Sequence, residues 1–118
     1  MTIKLRFDRH PRFVARRVWT EDAALDPVAG LLDSDLQSPD DARSFAQILA
    51  EVVSGVADPF ENSGNRYFFR VNREQTEVGV DNAANPSTIS IATVDLIAAV
   101  EEWAEQLEHL IKKNGTYV

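Results

Sequence analysis

The chain has no cysteine. That removes disulfides, a thiolate nucleophile and zinc–thiolate centres together, and it suits a reducing cytosol. Only five glycines occur in 118 residues, and none cluster. A glycine-rich phosphate cradle is therefore excluded. No apolar run approaches the roughly 20 residues that span a bilayer, so no membrane association is expected. The stretch from Met1 to His10 alternates charged and apolar side chains. It has no continuous apolar segment, and no secretory leader is expected. A cytoplasmic protein fits these absences.

Catalytic and metal-binding patterns are also scarce. The two histidines, His10 and His109, lie far apart in the chain. Glu105 and His109 are spaced i, i+4, which is common on solvated helix faces, and no second ligand cluster accompanies them. Ser63 stands in Asn-Ser-Gly-Asn. That is not the Gly-x-Ser-x-Gly elbow, and asparagine and glycine there suit the left-handed backbone of a tight turn. The carboxylates are numerous, but paired acids do acid–base work only where a cleft separates their pKa values. The reading is of a protein that is not an enzyme, with no cofactor and no metal.

What the chain does have is a split charge. Residues 1–20 hold Lys4, Arg6, Arg9, Arg12, Arg16 and Arg17 against the single acid Asp8. Residues 21–118 hold eighteen acids and six bases, so a local +5 adjoins a local −12 within a net −7. Residues 21–41 carry Glu21, Asp22, Asp26, Asp33, Asp35, Asp40 and Asp41 and no base. Such a field attracts a basic partner and repels nucleic acid. Arg12, Arg16 and Arg17, interleaved with Phe13 and Trp19, could touch phosphate, but the net charge opposes it and no direct nucleic-acid binding is expected.

A chain of this length forms one domain (residues 1–118) and buries roughly 65% of its unfolded surface. Ile3, Leu5 and Phe7 alternate with charged residues, as in a half-buried strand. A break at His10-Pro11 and a second run, Arg12 to Thr20, suggest a hairpin. Residues 21–37, with Asp26-Pro27 and Gly30, read as a long acidic connection with a short helical turn around Val28 to Leu32. Ser38-Pro39-Asp40-Asp41 starts a helix whose apolar positions are Phe45, Ile48, Leu49, Val52, Val53 and Val56. Gly55 and Asp58-Pro59 end it. After a turn at Asn62 to Asn65, strands are expected at Arg66 to Asn72, at Thr76 to Val80 and around Ile89 and Ile91, with a further turn at Asn82 to Ser87. Thr93 caps a last helix that stops at Asn114-Gly115, its core stripe being Ile97, Val100, Ala104, Leu107 and Ile111. The order ββ-α-βββ-α implies an α+β fold. It is a two-layer sandwich, an antiparallel sheet of about five strands with two long helices on one face.

One segment has a wider likeness. Glu61-Asn62-Ser63-Gly64-Asn65-Arg66-Tyr67, Val71, a β hairpin, Ile89-Ser90-Ile91-Ala92-Thr93 and an acidic helix with Trp103 follow in order. This pattern, over roughly residues 58–108, resembles small bacterial immunity proteins of contact-dependent growth inhibition and related polymorphic toxin systems. The resemblance implies binding to the toxic C-terminal domain of a cognate effector, often a basic nuclease, and blockade of its active site or substrate surface. Its motifs are turns and strands, and no toxin-contacting residue comes with them.

Charge nominates the contacts instead. The acids Glu21, Asp22, Asp26, Asp33, Asp35, Asp40 and Asp41, with the face formed by Glu101, Glu105 and Glu108, are the expected partner-binding residues. The other reading that stays open is a regulatory or scaffolding module. It would bind through a sheet edge or an exposed aromatic such as Trp19, with little salt dependence.

Overall fold

The apolar alternation in the second half of the chain builds a meander. The structure, a computed structural model, describes residues 3–7, 18–63, 67–80 and 87–114. Strands β3 (Phe60–Ser63), β4 (Tyr67–Val71), β5 (Gln75–Val80) and β6 (Ser87–Ala92) form one antiparallel sheet in sequence order. Register places Phe69 opposite Asn62 and Val78, and Thr76 opposite Val71 and Ile91. Tyr67, Phe69 and Val71 therefore share a face with Thr76, Val78 and Ile91. The other face carries Glu61, Arg70, Glu77 and Ser90 together with Ser63, Phe68, Gly79 and Thr88.

β1 (Leu5–Phe7) and β2 (Val18–Thr20) pair antiparallel, Arg6 opposite Trp19, as the expected hairpin requires. Among the described residues they form a separate two-stranded ribbon and do not pair with the larger sheet. The fold is α+β with an antiparallel sheet, as expected, and its strands divide into a sheet of four and a ribbon of two. The break at His10-Pro11, Arg9, Arg12, Arg16 and Arg17 lie outside the described residues, as does most of the expected turn at Asn82 to Ser87. Asn62 and Ser63, expected in a turn, belong to β3, while Gly64 and Asn65 are outside the described residues.

Three helices cover the apolar face. The expected acidic connection is a 3₁₀ turn, Ala23–Leu25, followed by α1 (Asp26–Asp35). Six consecutive residues of α1, Pro27 to Leu32, are buried. Gly30, which suggested a break, is instead the point of closest approach to the sheet: a Cβ there would lie 1.9 Å from the Tyr67 hydroxyl. Only glycine admits that contact.

α2 (Pro39–Ser54) starts as expected. Ser38 accepts from the Asp41 amide at 3.1 Å, Pro39 opens the first turn, and Gly55 ends the helix in the left-handed region at φ 85°. Its buried face is Ala42, Phe45, Ala46, Leu49 and Val52. Ile48 and Val56, expected in that stripe, are 44% and 79% exposed. Phe45 meets Phe69 edge-on at 5.1 Å, which sets α2 on the sheet's apolar face.

α3 (Thr93–Asn114) follows β6 directly and packs along α2. Leu96, Val100, Trp103, Ala104 and Leu107 are buried. Thr93 is the first helical residue, and its hydroxyl donates to the Asn72 carbonyl at 2.7 Å. One core joins all the layers, from Ile3, just before β1, and Val18 in β2 to Leu107 in α3. Phe7 stacks on Trp103 at 5.9 Å, tying the ribbon to the last helix. Among the described residues, no helix is long and apolar enough to cross a membrane.

Candidate functional site

The end of α1 and the start of α2 are joined by only three residues, Leu36, Gln37 and Ser38. The Leu36 amide donates to the Leu32 carbonyl and closes α1. Gln37 Nε2 donates to the Ser34 carbonyl at 3.0 Å. The Leu36 carbonyl, left over at the helix end, accepts from Trp103 Nε1 at 2.7 Å. A buried indole needs such an acceptor, and a helix terminus needs such a donor. This bond brings the α1–α2 link against α3.

A second contact sets the same geometry. Arg43, in the second turn of α2, pairs with Glu108 near the end of α3, with Arg43 Nε donating at 2.8 Å to Glu108 Oε1. Both side chains are partly exposed, so the pair adds at most about 1 kcal/mol. Its information is positional: α2 and α3 run antiparallel, and the start of one meets the end of the other.

Asp33 and Asp35 from α1, Asp40 and Asp41 from α2, and Glu108 from α3 thus gather at one end of the molecule. Asp40 and Asp41 lie in the first turn of α2, where the helix dipole favours negative charge. Between α1, α2 and the β3–β4 edge lies a cleft of about 650 Å³. Leu31, Leu36, Phe45 and Phe69 make it apolar, while Ser34, Asp35, Gln37, Asp41, Asn62 and Ser63 make it polar. Asp35 Oδ1 accepts from Ser34 Oγ at 3.2 Å. Its Oδ2 is buried and has no hydrogen-bond partner.

The chain matches no protein-family model, and no curated protein or solved structure is significantly similar to it. The site is thus read from its own residues.

The remaining expected contacts lie elsewhere. Glu21, Asp22 and Asp26 stand at the opposite end of α1, about 15 Å away at 1.5 Å per residue. Asp22 caps the 3₁₀ turn by accepting from the Ala24 amide at 2.9 Å, and Asp26 sits in the first turn of α1. The Glu21 amide donates to the Lys4 carbonyl, so this group borders the ribbon. Glu101 and Glu105 are exposed on α3. Beside them, Glu102 has its pKa raised, first by partial desolvation and then by the charge of Glu105.

On the outer face of the sheet the balance differs. Arg70 donates to Glu61 at 2.9 Å and to Glu77 at 2.8 Å, and the bond to Glu61 and the charge of Glu77 hold its pKa up. The two carboxylates there share one cation. Among the described residues, no group of three histidine or acidic side chains is placed to hold a metal ion.

Sequence reasoning did not anticipate Ser34, Gln37, Phe45, Phe69, Asn62 and Ser63 as neighbours of Asp35 and Asp41. A signal was present for part of this: Leu25, Val28, Leu31 and Leu32 recur at helical spacing. A helix over that stripe puts residues 34–37 at its C-terminal end.

Proposed function

We propose that this protein is an immunity protein. It binds the toxic domain of a cognate effector, a basic nuclease, and covers that enzyme's active site or substrate surface. It acts in the cytoplasm, without a cofactor and without catalysis of its own.

The observation that carries this reading is the convergence of Asp33, Asp35, Asp40 and Asp41 at one end of the fold, beside the Arg43–Glu108 pair. A nuclease cleft is shaped for a polyanion, and fixed carboxylates compete for its cations. Carriage on two packed helices matters here, because a backbone already in place needs no further ordering on binding. The carboxylates also raise the rate of encounter with a basic surface. Glu101 and Glu105 extend the acidic surface along α3, while Glu21, Asp22 and Asp26 form a separate group beside the ribbon.

The test is capture and inhibition. The protein, immobilised, is exposed to lysate of its source organism at low and high salt, and captured domains are assayed for nuclease activity. Expected is a basic domain, held tightly at low salt, whose activity the free protein abolishes. The double reversal D40K/D41K should then slow association by roughly tenfold and flatten its salt dependence. Reversal of Glu21 and Asp22 should have a much smaller effect. Expressed toxin candidates that are neither captured nor inhibited would refute the proposal.

One observation favours a regulatory or scaffolding module as the second reading. Trp19 is 39% exposed on β2 and offers an apolar contact. Binding through it would be insensitive to salt, so the same experiment separates the two.

A further inference from the structure

We draw no further inference here: the strongest candidate, the uncharged edge of the four-stranded sheet along β6 (Ser87–Ala92), which pairs only with β5 among the described residues, is an unpartnered strand edge, and nothing in the structure shows what covers it.

Discussion

Thr76 and Thr93 show how much one side-chain hydrogen can specify. Their hydroxyls lie 2.8 Å apart in the core, and Thr93 also donates to the Asn72 carbonyl. A carbonyl can only accept, so the single Thr93 proton is committed to it, and Thr76 must donate to Thr93. Removing the second hydroxyl of this relay therefore costs more than removing the first. Thr93→Val strands a buried donor and weakens the Asn72 contact, costing about 1–3 kcal/mol; Thr76→Val leaves the Thr93–Asn72 bond intact and costs less. Urea denaturation of the two variants checks the order, and equal losses would contradict this donor assignment. Glu102 makes a residue-scale prediction of the opposite sign. Its raised pKa means that the folded protein holds this proton more tightly than the unfolded chain does. The ionised group therefore disfavours the fold, and stability falls as pH rises from the unfolded carboxylate value through the folded one. Glu102→Gln should melt slightly higher than the parent at pH 7, and that advantage should vanish below about pH 4.

At the scale of elements, α1 is where sequence and structure part. Its first turn follows ordinary rules, with Pro27 at the start and Asp26 beside it. Its glycine does not: mid-helix glycine costs up to about 1 kcal/mol relative to alanine. The residue is kept by what lies across from it, because Tyr67 occupies the space a methyl group would take. Gly30→Ala should therefore destabilise despite its better helix propensity. Overpacking costs of about 1–3 kcal/mol exceed the propensity gain, and the melting temperature should fall by several degrees. An unchanged or higher melting temperature would mean that the ring moves aside freely. α2 and α3 behave otherwise, since their caps and stripes are local. Ser38, Gly55 and, in α3, Val100, Ala104 and Leu107 are identified from spacing alone, while the buried stripe turns toward Leu96 and Trp103 and leaves Ile97 partly exposed.

For the whole molecule, charge and core make separate statements. The core spans both sheets and all three helices, and the ribbon joins it through Ile3, Val18 and the Phe7–Trp103 stack. Unfolding should therefore be a single transition, with far-ultraviolet ellipticity and tryptophan emission sharing one urea midpoint. Separated midpoints would make the ribbon an independent unit. The charges, by contrast, are divided by position. Arg70 pairs with Glu61 and Glu77 on the sheet's outer face, Arg43 restrains Glu108, and Asp35 and Asp41 line the cleft.

Local rules were enough for the sequence to determine its class and many of its parts. Alternation of Tyr67, Phe69 and Val71 specified a strand, a serine–proline–aspartate start specified α2, and glycine specified its end. Those signals act within a few residues, where backbone sterics and capping geometry are set. Tertiary structure decided that the expected turn at Val28 to Leu32 extends into the ten residues of α1, that the ribbon stands apart from the sheet, and that the acids form two groups. The reason is physical: Gly30 faces Tyr67, Leu36 faces Trp103, and Arg43 faces Glu108. Each of these contacts joins residues far apart in the chain, and no local pattern encodes the distance between them.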